Sequence, residues 1–238
     1  MSAAFDTLRL ARRVAATVVA LGLGSTAPAG AATAQAAASV SVPAACYVYW
    51  PEQGSQPIPI AIRGLVPGAA VDVGLRIDGH TVSGLPSLTV DASGAIDTQL
   101  NTWTSGLADG PSRATPAWVV VSDPLTGAQL AEVPLHVANV GLDDDAARKA
   151  SGTKRRWIIS GLQRLGGGAT YYAFYFKHGK VIGRQRIGMT TDACGYLRTM
   201  MPAVPFKQNG TFEFRVQASP AYHGDRAWIG GTAHQGKA

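Results

Sequence analysis

One octet of this chain occurs twice. Asp91-Ala92-Ser93-Gly94-Ala95-Ile96-Asp97-Thr98 returns as Asp192-Ala193-Cys194-Gly195-Tyr196-Leu197-Arg198-Thr199, an offset of 101. Asp, Ala, Gly and Thr keep their places, and Ile96 meets Leu197. A sequence that repeats itself over about 100 residues builds one unit twice. That constrains the fold more than any single side chain does: it points to tandem small modules and away from one large enzyme fold.

The repeat extends upstream. Ile62-Arg63-Gly64-Leu65 aligns with Ile159-Ser160-Gly161-Leu162 at an offset of 97. Gly68-Ala69 aligns with Gly168-Ala169 at 100. The heptapeptide Asp78 to Gly84 aligns with Lys177 to Gly183 at 99. Drifting offsets fit small insertions in loops, where they are best tolerated.

Each copy reads as β. Val71, Val73, Leu75 and Ile77 alternate with Asp72, Gly74, Arg76 and Asp78, the period of a strand with one buried face. Asp78-Gly79 is a turn signal. In the second copy Tyr171 to Phe176 is a β-prone run, and Lys177-His178-Gly179-Lys180 is its turn. Ser93-Gly94 and Cys194-Gly195 are the next turns. Ala117 to Ser122 and Thr211 to Gln217 read as later strands. In the last of these Phe212, Phe214 and Val216 alternate with Thr211, Glu213 and Arg215. Short strands and turns at this spacing predict a sandwich. Asn209-Gly210-Thr211 matches a glycosylation sequon and is read as a hairpin turn.

Gly64-Leu65-Val66-Pro67-Gly68-Ala69-Ala70-Val71-Asp72-Val73, followed by Asp78-Gly79 and Asp91-Ala92-Ser93-Gly94, resembles the bacterial immunoglobulin-like domains of secreted and surface proteins. The second copy follows the pattern more loosely, with Arg164-Leu165-Gly166-Gly167-Gly168 in place of the Pro-Gly pair. The resemblance implies β-sandwiches with a binding or spacer role, and it carries no catalytic residue across. The expected architecture is all-β: two tandem immunoglobulin-like sandwich domains after a signal peptide. The expected divisions are a signal peptide at 1–34, an Ala-rich lead-in at 35–45, an acidic domain at 46–140, a linker at 141–153 and a basic domain at 154–238.

The N-terminus carries the secretory signal. Arg9, Arg12 and Arg13 precede the apolar stretch Val14 to Gly24, too short to span a bilayer. Ala32-Thr33-Ala34 is the expected cleavage site, with Ala27-Pro28-Ala29 as its competitor. No later segment is long and apolar enough for a transmembrane anchor. The mature protein is expected to be secreted, either released or held non-covalently at the cell surface.

Charge divides between the copies. Residues 35–145 hold Arg63, Arg76 and Arg113 against 11 acidic residues, a net of −8. Residues 146–238 hold 15 Lys and Arg against Asp192, Glu213 and Asp225, a net of +12. Such a skew serves solubility and attraction between modules, or it binds an anionic partner. Lys154, Arg155 and Arg156 open the second module, and Lys177, Lys180, Arg184 and Arg186 surround one hairpin. These seven are the candidate binding residues. Tyr171, Tyr172, Tyr175 and Phe176 lie close by, and basic and aromatic residues together can stack on a nucleic acid or sugar polymer. The reading adopted is the simpler one: alternate aromatics fill the core and the charges face water. The expected partner is an anionic envelope polymer or another surface protein, and not a nucleic acid.

Cys46 and Cys194 either pair, which would clamp one module to the other, or stay as buried thiols. Cys194 aligns with Ser93, and Cys46 has no counterpart in the second copy, so this is not an intradomain bridge. The five histidines, His80, His136, His178, His223 and His234, lack metal-ligand spacing. His80 and His178 are expected in equivalent turns. Asp143-Asp144-Asp145 lacks the spacing of a calcium loop and reads as an acidic linker that meets Lys154-Arg155-Arg156 and fixes the angle between modules. No nucleophile motif is present, so no catalytic residue, cofactor or metal is expected. The function expected is non-catalytic adhesion or envelope association through the basic module. A spacer or accessory subunit is the alternative, and a carbohydrate-active enzyme is a remote one.

Overall fold

The computed structural model describes residues 37–50, 53–104, 106–144, 154–162, 168–202, 204–205, 210–226 and 228–235. The expected signal peptide, Asp145, the stretch from Arg164 to Gly167 and Asn209 lie outside them. The described residues all fall in one compact unit, Ala36–Ala238. Every regular element among the described residues is a strand.

The first module holds β1 (Ser39–Ser41), β2 (Cys46–Trp50), β3 (Gly54–Ser55), β4 (Ile58–Arg63), β5 (Ala70–Ile77), β6 (His80–Thr89), β7 (Ile96–Leu100), β8 (Thr115–Ser122) and β9 (Gln129–Asn139). They form a small sheet, β1-β4-β7, and a large one, β3-β2-β9-β8-β5-β6. The second module holds β10 (Gly141–Asp144), β11 (Lys154–Ser160), β12 (Thr170–Lys177), β13 (Lys180–Met189), β14 (Leu197–Pro202), β15 (Gly210–Gln217) and β16 (Ile229–Gln235). Its sheets are β10-β11-β14 and β13-β12-β15-β16. In each module the inward side chains of the two sheets pack together as one core. In both modules pairs of strands within one sheet alternate with crossings to the other, after β4, β6 and β7 in the first and after β11, β13 and β14 in the second, as in an immunoglobulin-like sandwich.

The alternation in sequence becomes the buried stripe. Val71, Val73, Leu75 and Ile77 are buried, and the residues between them are less so. The two cores differ in kind. Ile58, Ile60, Ile62, Val119 and Val121 make the first aliphatic. The second is built on rings, with Trp157 and Tyr175 at 5.1 and 6.2 Å from Phe214. Burying one such side chain contributes roughly 1.5–3 kcal/mol.

The ladders test the repeat. Ile62 pairs with Ile96 and Ile159 pairs with Leu197, so the offsets of 97 and 101 are those of equivalent pairings. Val90 N–H donates to the Ala69 carbonyl, and Thr190 N–H donates to the Ala169 carbonyl, which bears out the offset of 100. The hairpin needs a correction. Ile77 pairs with His80 and Lys177 with Lys180, so both turns have two residues and the offset is 100, not 99. His178, at φ 50°, takes the place of Asp78, at φ 47°, each followed by a left-handed glycine. His80 opens a strand and is not the equivalent of His178.

Two further expectations change. Gly141–Asp144, placed in the linker, pairs with β11 as β1 pairs with β4. Asp143 reaches Arg156 at 3.9 Å, but both belong to this one sheet, so the contact does not set the angle between modules.

Candidate functional site

The seven candidate cations fall on two different sheets. Lys154, Arg155 and Arg156 belong to β11 in the small sheet, and Lys177, Lys180, Arg184 and Arg186 flank the β12–β13 turn in the large one. Lys154 and Arg155 join the ladder through their backbones; their side chains lie outside the described residues. The set is therefore not one patch. Arg156 is partly buried beside Asp143. Lys177 is partly buried, with its ammonium 6.0 Å from the Phe212 ring centre. Lys180, Arg184 and Arg186 are exposed.

The aromatics of β12 divide between two faces. Tyr171 and Tyr175 enter the core as expected. Phe174 and Phe176 point to the other side of the sheet and are buried there too, which the simple division into an aromatic core and a charged surface did not foresee. Their cover is the loop after β15. Tyr222 packs at 5.6 Å from Phe174 and 4.9 Å from Phe176. Arg215 lies 4.8 Å from Phe176 and 4.4 Å from Trp228, within cation–π range. It also donates to Glu213 at 2.8 Å and to the Tyr222 hydroxyl at 2.6 Å. The Glu213 carboxylate holds the Arg215 guanidinium above its usual range. Arg184 lies 5.4 Å from the Tyr172 ring centre and donates to the Pro220 carbonyl, so it fastens this loop as well as facing solvent. Sequence reasoning missed Arg215, Tyr222 and Trp228 because their meeting depends on cross-strand register and on the path of a loop.

The joint between modules combines a disulfide, apolar packing and hydrogen bonds. Cys46 and Cys194 form a disulfide, with Cα atoms 5.5 Å apart, and both are fully buried. Val48, Ala138 and Val140 pack around it. Asp192 Oδ1 accepts from Cys194 N and Tyr196 N at 3.0 and 2.8 Å, which shapes the turn. Its Oδ2 accepts from Ala114 N of the first module at 2.9 Å. The Ser160 hydroxyl donates to the Asn139 carbonyl at 2.5 Å and accepts from Ser112 N at 3.1 Å. The Arg113 guanidinium lies 4.6 Å from the Tyr196 ring centre. Gly161 sits at φ 80° with Val140 so near that a Cβ would come within 2.6 Å of it. The cysteines and the repeated octet were visible in sequence. The bonds to Ala114 and Asn139 had no signal there.

Among the described residues no three His, Cys, Asp or Glu side chains gather as a metal site. No helix of the described residues is long and apolar enough to cross a membrane.

The fold defines a tandem pair of immunoglobulin-like sandwiches joined by a disulfide. No family model matches the chain, and no curated protein does. Similar solved structures include the YadV chaperone, at 13% identity over 82% of this chain and 98% of that one, with a TM-score of 0.29. The fibronectin(III)-like modules of Clostridium thermocellum CbhA are 16% identical over 82% and 91%, at 0.26. A tetra-tandem repeat from the extending region of a large adhesion protein is 14% identical over 84% and 49%, at 0.28. None of these likenesses is close enough to carry a function across.

Proposed function

We propose that this is a secreted, non-catalytic protein with a signal peptide at 1–34 and two modules, 46–140 with β1 added and 154–238 with β10 added, which associates with an anionic polymer of the cell envelope through the basic second module. One observation carries the reading. Arg63–Asp97, Arg76–Glu132, Arg156–Asp143 and Arg215–Glu213 are each contained within one module. The joint is built instead from a disulfide, apolar packing, hydrogen bonds and a cation–ring contact. The opposite charges of the modules are thus not neutralised against each other at these pairs, and exposed Lys180 and Arg186 remain to meet an anionic surface. Many weak cationic contacts give binding that falls steeply with salt. A second reading, a spacer or accessory subunit for another protein, draws support from the covalent joint, which ties the two modules together.

Co-sedimentation of the full chain with purified envelope tests the proposal. Binding at low salt, its release at about 0.5 M salt where the screening length is only a few Å, and its loss in Lys180→Glu/Arg186→Glu are expected. No binding at low salt would sink it and turn attention to protein partners.

A further inference from the structure

The outer face of the large sheet differs between the modules at two facing positions. In the first module Gly74 and Gly84 are cross-strand partners. Neither has a left-handed φ. A Cβ would lie 3.4 Å from Thr81 Cγ2 at Gly74 and 3.4 Å from the Val73 carbonyl at Gly84, which is ordinary contact. Neither backbone nor packing therefore requires glycine there. Glycine inside a strand weakens it, and it often marks a place where another group approaches closely.

The second module shows that the sandwich accepts large residues at these positions. Phe174 and Arg184, also cross-strand partners, occupy them. The loop after β15 closes over them through Tyr222 and Pro220. In the first module the connection between β8 and β9 is only a short turn, in which Asp123 Oδ1 accepts from Leu125 N and Thr126 N. The face stays open as a hollow of about 400 Å³ lined by Asp72, Gly74, Thr81, Gly84, Val120 and Ser122.

We propose that this hollow receives Trp228 from a second copy of the chain. Trp228 is 38% exposed and is the one exposed aromatic ring among the described residues. It stacks against Arg215, which is itself paired with Glu213, and lies close in sequence to exposed Arg226 and Asp225. The hollow carries Asp72 at its rim, while its arginine, Arg76, is already paired with Glu132 at 3.1 Å. With β10 counted in the second module, residues 35–140 carry a net charge of −5 and residues 141–238 one of +9, so first module to second module is the attractive pairing. A ring laid over the glycine pair restores what Phe174 supplies in the second module. The contact joins unlike surfaces, so successive copies extend head to tail, into a filament or a closed ring. This inference goes beyond envelope binding and does not depend on it.

Sedimentation of the disulfide-bonded chain from about 1 µM to about 1 mM, a range in which weak contacts register, tests it. The average mass is expected to rise past that of a dimer at low salt and to fall back at high salt. Trp228→Ala and Gly74→Phe should each weaken association about tenfold, the loss expected for a central aromatic anchor. Gly74→Phe copies the second module, so an unchanged melting curve and circular dichroism confirm its fold. Mixing the two variants should restore dimers without longer chains, since each keeps one intact half. A monomer at every concentration, or association indifferent to both substitutions, overturns the proposal. Lys180→Glu/Arg186→Glu, which tests envelope binding, leaves the glycine hollow and Trp228 in place, so the two readings can fail separately.

Discussion

The two copies of the octet form nearly the same turn and do different work. In the first, Asp91 Oδ1 accepts from Ser93 N, the Ser93 hydroxyl and Ala95 N, all within the loop, and the turn faces water. In the second, Asp192 Oδ1 makes the matching bonds to Cys194 N and Tyr196 N, and Oδ2 is left to take Ala114 N across the joint. Cys194 stands where Ser93 stood and bonds to Cys46. A local motif that needs only one carboxylate oxygen leaves the other available, and one substitution at its middle position supplies a covalent tie. The duplication thus kept the turn and changed what it touches.

The largest test of this difference is removal of the bridge. It closes 148 residues of sequence separation, and restricting an unfolded chain of that size contributes about 5 kcal/mol in the chain-entropy account. Cys46→Ser/Cys194→Ser should therefore lower the unfolding free energy by about 3–5 kcal/mol in denaturant titrations. It should also uncouple the modules into two transitions, and a single transition of unchanged midpoint would mean that the polar joint alone suffices.

Truncating the aspartates sharpens the comparison. Asp192→Ala leaves Ala114 N and two turn amides without their acceptor, at a cost of about 1–3 kcal/mol. Asp91→Ala should cost less, because it frees two backbone amides rather than three and that of Ser93 is exposed to water. Thermal melts of the two variants rank them, and equal losses would show that the bond across the joint adds nothing.

The smallest effect is in pH. The Ser93 hydroxyl, followed by the Ala95 amide, holds the Asp91 carboxyl below its ordinary value of 3.8. A depressed carboxyl stabilises the fold above the unfolded value, and that contribution disappears as pH falls through the folded one. The loss therefore belongs below about pH 4. In Ser93→Ala the Asp91 titration, followed by carboxyl chemical shifts, should move back up toward 3.8, and no movement would remove the hydroxyl as the cause.

How far the sequence carried the fold depends on range. Alternation marked β5 and β15, and Asp78-Gly79 and His178-Gly179 marked the hairpins, because strand period and turn chemistry act over a few residues. The offset within those hairpins is 100 rather than 99, since Gly84 and Gly183 align as letters while the two-residue turns Asp78-Gly79 and His178-Gly179 set the true pairing, with Gly84 at the place of Arg184. The candidate site was less legible. Arg184 was named, but its bond to Pro220 arises only when β13 and the loop after β15 come together.

By itself the sequence determined the repeat, the β character, the split of charge and the presence of two cysteines, because each follows from composition or from spacing along the chain. Only the tertiary structure decided that Cys46 meets Cys194, that the candidate cations lie on two sheets, that Phe174 and Phe176 face outward under Tyr222 and Arg215, and that Gly74 lies opposite Gly84. Those are pairings between segments far apart in sequence, set by register and by the docking of one module on the other, and no local pattern of residues encodes them.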